Sequence, residues 1–246
     1  MPAMRLDKLL TQLGCGSRKE VGALIRSGRV TVDGAPVRDP ACKTDPETAV
    51  VVVDGRPQRY QAQRYFMLNK PAGVITASRD GRHQTVLELF PASQRRGLFA
   101  VGRLDKDTEG LLIVTDDGAL SHALMSPARH VDKVYEAVVE GALVPDAADR
   151  FAAGLTLRDG TVCLPAVLER LPDRAEQTVR VTLREGKYHQ VKRMIAAVGG
   201  TVVHLRRVRL GGLALDPSLA PGAFRALTDA ELALLQGQER DGKKEF

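Results

Sequence analysis

Gly102-Arg103-Leu104-Asp105-Lys106-Asp107-Thr108-Glu109-Gly110 stands between two apolar runs, Leu98 to Val101 and Leu111 to Thr115. The runs read as strands. A polar turn joining two buried strands places its side chains at one end of a sheet, where sites are commonly built. Downstream, Ala119 to Met125 reads as a helix, and Val134 to Glu140, Val162 to Leu168 and Thr178 to Leu183 alternate as strands. Tyr188 to Val198 has helical spacing and stops at Gly199-Gly200. Val202 to Leu210 follows as a strand, and Thr228-Asp229-Ala230-Glu231 caps a last helix, Ala230 to Leu235. Upstream, the strand Tyr65 to Leu68 runs into Asn69-Lys70-Pro71-Ala72-Gly73, a turn by its Pro and Gly, and Thr85-Val86-Leu87-Glu88 caps a short helix. The order is strand-rich without regular β-α-β alternation, which predicts an α+β fold with a mixed, mostly antiparallel sheet and flanking helices.

The first sixty residues read as a separate small unit of helix, helix and hairpin. Leu6, Leu9, Leu10 and Leu13 recur at helical spacing. Ser17-Arg18-Lys19-Glu20 has the form of a capping box, so a second helix begins at Arg18 and ends at Gly28. Arg29 to Val32 alternates as a strand, Asp33-Gly34 is a hairpin turn, Ala35-Pro36-Val37 returns, and Val50 to Val53 adds a further strand. The polar stretch Gln58 to Arg64 reads as a linker. The expected organisation is a module over 1–60, a larger domain over 61–236, and a charged, flexible tail over 237–246.

Composition narrows the function. A chain of 246 residues with 43% hydrophobic and 27% charged residues is neither disordered nor fibrous. No apolar run approaches the ~18 residues of a membrane span, and the N-terminus carries no apolar signal core, so a cytoplasmic protein without a membrane partner is expected. Cys15, Cys42 and Cys163 lie far apart without a CxxC pair, which argues against a zinc ribbon. The net charge of +6 is unevenly distributed. Arg5, Lys8, Arg18, Lys19, Arg26 and Arg29 face only Asp7 and Glu20 between residues 4 and 32. Arg184, Lys187, Lys192, Arg193, Arg206, Arg207 and Arg209 face only Glu185 between 184 and 209. Such clustering favours a polyanionic, nucleic-acid ligand over a randomly solvated surface.

The polar turn at 102–110 admits several chemistries. It can be a loop that merely solvates the connection. Asp105 and Asp107, with Thr108 near by, approach the Asp-x-Asp-x-Thr signature of an aspartate-nucleophile phosphatase with bound Mg²⁺, and Asp105, Asp107, Glu109, Gly110 and Asp116 mimic a calcium loop. Alternatively Asp105 acts as nucleophile or base without metal. Apolar strands rather than exposed helices flank the turn, which weakens the calcium reading. Asp116-Asp117-Gly118 looks like an ordinary Asp-Gly turn. The phosphatase reading also leaves the basic stretch around Lys192 unexplained.

Four motifs in chain order carry a resemblance. Gly102-Arg103-Leu104-Asp105-x-x-Thr108-x-Gly110-Leu111 resembles the central motif of the pseudouridine synthases, and Asn69-Lys70-Pro71-x-Gly73 is similar to their Lys-Pro-x-Gly turn. Lys133-Val134-Tyr135 resembles the strand with their active-site tyrosine, and Glu185-Gly186-Lys187-Tyr188-His189-Gln190-Val191-Lys192-Arg193-Met194 their C-terminal basic motif. Residues 1–60 resemble an S4-type RNA-binding domain, and the whole arrangement resembles the ribosomal small-subunit synthase A subgroup. The resemblance implies isomerisation of a uridine in ribosomal RNA, most specifically small-subunit RNA or an assembly intermediate, with no cofactor or metal and with a monomeric enzyme. The glycosidic C–N bond breaks, the uracil turns while bound, and a C–C bond forms.

It further implies that Asp105 is the essential carboxylate, acting at the ribose or the uracil ring. Arg103 occupies the space left by the flipped base, sharing a face with Asp105 at i and i+2. Tyr135 stacks on the extracted uracil, and Lys192 pairs with Asp105 and holds it ionised. His189, Lys192 and Arg193, at i, i+3 and i+4, are expected on one helical face. Arg5, Lys8, Arg18, Lys19, Arg26, Arg29, Lys70, Lys187, His189 and Arg193 are the expected RNA-contacting residues. The rival reading is an RNA-binding protein without catalysis, which has no need of Asp105, Arg103, Tyr135 and Lys192 together.

Overall fold

A computed structural model of the chain describes residues 3–46, 48–58, 63–126, 129–174 and 176–236. The tail expected to be flexible over 237–246, and most of the expected linker, lie outside these residues. The chain divides into two compact units, Met1–Ala62 and Gln63–Phe246.

In the first unit β1 (Met4–Arg5) leads into α1 (Leu6–Gln12), and α2 (Arg18–Arg26) follows. The capping box forms: the Glu20 amide donates to Ser17 Oγ at 3.4 Å, and the Ser17 amide donates to Glu20 Oε2 at 2.7 Å. β2 (Val30–Val32), β3 (Ala35–Pro36), β4 (Lys43–Thr44), β5 (Val51–Val53) and β6 (Arg56–Gln58) complete the unit. Four of these strands make an antiparallel sheet in the order β3-β2-β5-β6, while β4 pairs with β1. Leu6, Leu9, Leu10, Val21, Ile25, Val30, Val51 and Val53 fill the core between helices and sheet. The apolar stripes of both helices are thereby buried, and their basic faces are left to solvent.

The second unit is built from β7 (Tyr65–Lys70), the short 3₁₀ turn Val86–Leu89, β8 (Phe99–Val101), β9 (Glu109–Thr115), α3 (Gly118–Met125), β10 (Lys133–Glu140), α4 (Ala147–Ala153), β11 (Val167–Leu171), β12 (Thr178–Leu183), α5 (Gln190–Ala197), β13 (Thr201–Leu210), β14 (Leu213–Ala214), β15 (Phe224–Ala226) and α6 (Asp229–Gln236). The sheet runs β11-β12-β10-β13-β9-β7-β15, with β14 added to β13 and β8 to β9. Its only parallel pairing among the described residues is β9 with β13, so it is mixed and mostly antiparallel, as the strand order predicts. No helix among the described residues is long and apolar enough to cross a membrane.

The central strands are buried on both faces. On β7 and β9, Leu68, Leu112 and Val114 face one core cluster, and Met67, Leu111 and Ile113 face the other. This explains their unbroken apolar runs. β10 covers one core only: Tyr135, Ala137 and Val139 point inward between Glu136, Val138 and Glu140, which preserves the alternation seen in the sequence. Gly110 sits where β9 meets β13. A Cβ there would lie 2.2 Å from the Arg207 carbonyl oxygen, so only glycine allows the two backbones to approach.

One expected strand is displaced. Val162 to Leu168 does not form as such; the strand is Val167–Leu171, and Val162 makes only an isolated bridge to Thr156. Pro165 has no amide hydrogen to offer a ladder. The amides around it are already committed, Cys163 to the Leu155 carbonyl at 2.7 Å, Leu164 to Glu185 Oε1 at 2.9 Å and Ala166 to the Phe151 carbonyl at 2.8 Å.

The last helix is tied to β15 by ions. Arg225 donates to Asp216 at 2.8 Å and, through its two terminal nitrogens, to both oxygens of Glu231 at 2.9 and 2.7 Å. Hydrogen bonds from Ser218 and then Arg225 hold the Asp216 carboxyl at about 2, and Arg225 holds that of Glu231 at about 2. Both values are depressed on folding. The stability they add is therefore present above the ordinary carboxylate range and lost as pH falls from about 4.5 towards 2. The thermal midpoint should therefore fall between pH 5 and pH 3. In Arg225→Met that acid-dependent part of the fall should be visibly smaller; melts of equal pH dependence in both proteins would disprove the assignment.

Candidate active site

Asp105 lies in the loop joining β8 to β9, a hairpin whose register runs from Phe99 opposite Thr115 to Val101 opposite Ile113. The loop is held from below and behind. Leu104 is buried, and its backbone is gripped at both ends by Thr76: the Leu104 amide donates to Thr76 Oγ1 at 3.1 Å, and that hydroxyl donates to the Leu104 carbonyl at 2.8 Å. The Gly73 amide donates to the Lys106 carbonyl at 2.8 Å, and the Thr108 amide to the Asp105 carbonyl at 3.1 Å. Leu104 is buried between an exposed Arg103 and a half-buried Asp105.

Lys70 supplies the strongest clamp. Expected among the RNA-contacting residues, it is instead fully buried. Its ammonium donates to the carbonyls of Pro71 at 3.0 Å, Lys106 at 3.3 Å and Thr108 at 2.8 Å, joining the Lys-Pro turn to the Asp105 loop. Burial pushes the amine down to about 8, although Asp107, Asp105 and Glu109 pull the other way. An amine with its three donors committed to backbone carbonyls cannot also bind a phosphate. Lys70→Met keeps the stem and removes the donors. It should cost about 1–3 kcal/mol of stability through unsatisfied carbonyls and lower kcat about tenfold with KM for RNA nearly unchanged. A KM increase without a change in kcat would return Lys70 to an RNA-binding role.

Two basic side chains meet the carboxylate from α5 and the residue before it. His189 Nε2 lies 3.7 Å from Asp105 Oδ1, and Lys192 Nζ lies 3.8 Å from Asp105 Oδ2. Lys192 makes its shorter contact, 2.5 Å, with Asp107, and that hydrogen bond holds the Asp107 carboxyl below the usual range. The lysine thus sits between two aspartates rather than pairing with Asp105 alone. Asp105 itself accepts no hydrogen bond from a side chain among the described residues, so its oxygens remain available.

The expected helical face of His189, Lys192 and Arg193 does not form. The helix begins at Gln190, not Tyr188, and His189 precedes it in the left-handed conformation (φ 49°, ψ 34°). Arg193 turns away to Asp159 at 2.5 Å and to Thr161 Oγ1 at 3.3 Å. Lys187 donates to the Val162 carbonyl and pairs with Glu185 at 3.0 Å. Arg103 is exposed and makes no hydrogen bond or ion pair among the described residues. Tyr135 is buried to 9% exposure in the core cluster that also holds Leu104, and its hydroxyl makes no hydrogen bond among the described residues.

In the first unit, Arg5 is taken up by Asp7 in a two-point contact at 3.1 and 2.8 Å, and Arg18 reaches the same carboxylate at 3.4 Å. Arg29 forms a fork on Asp54, both contacts 2.6 Å. Lys8, Lys19 and Arg26 are exposed and unpaired among the described residues. Asp116 and Asp117 have other roles: Asp116 pairs with Arg64 at 2.8 Å, and Asp117 accepts the Ala119 and Leu120 amides as the cap of α3.

Three residues near the site carry no assignment from the sequence. Thr76 is one, for its grip on Leu104. Arg207 is another: it is 1% exposed, donates from Nε to the Leu111 carbonyl at 2.8 Å, and leaves one terminal nitrogen buried without a partner among the described residues. The register sets it beside Tyr135 on β10 and Gly110 on β9. Its one sequence signal is parity, since Arg207 shares the inward face of Leu205. The third is Tyr188, exposed and stacked on His189.

A family model described as RNA pseudouridylate synthase matches residues 64–197, and one described as S4 domain matches residues 4–48. The chain is 47% identical over 232 residues to the ribosomal small subunit pseudouridine synthase A of Escherichia coli K12, covering 94% of this chain and 99% of that one. It is 46% identical over 234 residues to an uncharacterized RNA pseudouridine synthase of Bacillus subtilis strain 168, covering 94% and 98%. A crystal structure of a pseudouridylate synthase superposes with a TM-score of 0.66 at 33% identity, over 95% of this chain and 100% of that one.

Proposed function

Since the chain belongs to the RNA pseudouridylate synthase family, we propose that it converts one uridine of small-subunit ribosomal RNA, free or in an assembly intermediate, to pseudouridine. One observation carries the assignment of roles. The Asp105 carboxylate stands at the end of the sheet on a loop clamped by Lys70 and Thr76, with His189 and Lys192 at 3.7 and 3.8 Å on its two oxygens.

In this reading Asp105 is the catalytic carboxylate. Its backbone is immobilised while its oxygens stay uncommitted, so it is held in place without being neutralised by hydrogen bonds. Lys192 adds positive charge where the RNA backbone must come closest, and His189 sets an imidazole nitrogen beside the same carboxylate. Tyr135, which shares a core cluster with Leu104 of the Asp105 loop, supplies the aromatic ring for the uracil during its rotation. Arg103 enters the gap left in the RNA when the uridine is extracted, an operation that a base in a stack requires before any chemistry. Lys8, Lys19 and Arg26 contact phosphates and position the RNA without reading sequence. Arg5, Arg18 and Arg29 shape the first unit through Asp7 and Asp54 and contribute charge rather than free donors.

The deciding experiment maps pseudouridine by carbodiimide-stop sequencing in ribosomal RNA from cells with and without the protein. One stop in small-subunit RNA should vanish when the protein is removed. A lost stop in large-subunit RNA would move the target, and an unchanged pattern in both subunits would overturn the reading.

A further inference from the structure

Tyr188 is 75% exposed in a chain with only 4% aromatic residues. Scattered exposed side chains are ordinary, but this one is held. Its ring lies on that of His189 with centroids 3.8 Å apart and planes 17° apart. Consecutive side chains normally diverge, on opposite faces of a strand or about 100° apart on a helix. Here they stack across a left-handed His189, a conformation that costs a non-glycine residue on the order of 1–3 kcal/mol. The surrounding chain maintains that conformation: the Arg193 amide donates to the His189 carbonyl at 3.0 Å, and the Lys187 amide is bound by Gln190 Oε1 at 2.9 Å.

The result is a short ladder. It begins at the Asp105 carboxylate, passes through the His189 ring at 3.7 Å, continues through the Tyr188 ring, and ends in solvent. His189 covers one face of Tyr188, and the rest of the ring is largely open. Tyr188 lies one stacked layer from His189, whose ring edge contacts the carboxylate through Nε2. Exposed aromatic rings beside basic residues are the usual platforms for unpaired bases, and every base has a face to stack. Lys192 and the Tyr188–His189 pair thus present charge and a flat apolar surface side by side.

We propose that Tyr188 is the stacking platform for a nucleobase next to the target uridine, fixing the RNA's position once that uridine has been extracted. The inference rests on the RNA-modifying reading above and adds a binding residue to it. Stacking of this kind contributes about 1–3 kcal/mol per base, about 5- to 150-fold in affinity.

Tyr188→Phe keeps the ring and Tyr188→Ala removes it; the exposure of the side chain lets both variants fold. The first readout is fluorescence of short single-stranded RNAs with one uridine and 2-aminopurine at each neighbouring position in turn. One position should be quenched on binding by the parent protein and by Tyr188→Phe, and not by Tyr188→Ala. The second is steady-state turnover on small-subunit ribosomal RNA. KM should rise about 5- to 150-fold in Tyr188→Ala, with kcat within about threefold, while Tyr188→Phe stays near the parent in both. Quenching retained in Tyr188→Ala, or a loss confined to kcat, would overturn the proposal and leave Tyr188 acting only through His189. Should the parent protein leave the RNA unconverted, the substrate reading fails, and the quench on bound RNA still decides the platform.

Discussion

Asp105→Asn should abolish pseudouridine formation while leaving the protein folded and able to bind RNA. Removing a group on which the chemistry depends typically lowers turnover by about 10⁴-fold or more. The structure explains why little else should change. The Asp105 side chain makes only two long contacts, 3.7 Å to the His189 ring and 3.8 Å to the Lys192 ammonium, and its loop is held through backbone carbonyls that Lys70 and Thr108 contact. An amide of the same shape keeps the backbone contacts of the loop and loses the charge, with it the two long contacts' electrostatic attraction, and the nucleophilicity. Lys192 keeps its shorter contact with Asp107, so it is not stranded by the change. The measurements are carbodiimide mapping for turnover, fluorescence anisotropy for RNA affinity and a thermal melt for folding. Turnover near that of the parent, with binding intact, would remove Asp105 from its role.

Arg103→Ala should retain RNA binding and lose about tenfold to several hundredfold in turnover. Extracting a paired or stacked base costs a few kcal/mol, and each ~1.4 kcal/mol left uncompensated is a factor of ten in rate. Arg103 is free to enter the RNA, since it is exposed and has no hydrogen bond or ion pair among the described residues. Leu104 anchors the backbone between it and Asp105. The defect should shrink on an RNA whose target uridine is already unpaired. Arg103→Lys should restore activity only in part, because an ammonium neither stacks nor presents a planar fork of donors. Turnover on paired and unpaired versions of one RNA provides the comparison. An equal loss on both would place Arg103 in the chemistry and end the flipping role.

The sequence by itself determined the architecture wherever local pattern and burial agree. Two-residue alternation marked β10 and β12, Ser17 and Glu20 marked the start of α2, and the polar stretch Gly102 to Gly110 between apolar runs marked the loop that carries Asp105. These signals are local: periodicity, capping and turn chemistry act over a few residues and need no distant partner. The tertiary structure alone decided which charges face the site. Lys70 reads as a turn residue and RNA-contacting base until Lys106 and Thr108, more than thirty residues on, draw its ammonium into the interior. Arg193 reads as a neighbour of Lys192 until Asp159 draws it away, and Lys192 meets Asp107 from 85 residues off. The stack of Tyr188 on His189 depends on a left-handed residue that only the surrounding packing sustains. An ionic side chain is long and flexible, and its free energy depends on solvent exposure and on whichever counter-charge the fold brings within a few ångströms. Those partners are set by strand pairing, above all by the β9–β13 contact at Gly110 that brings Arg207 alongside the Asp105 hairpin.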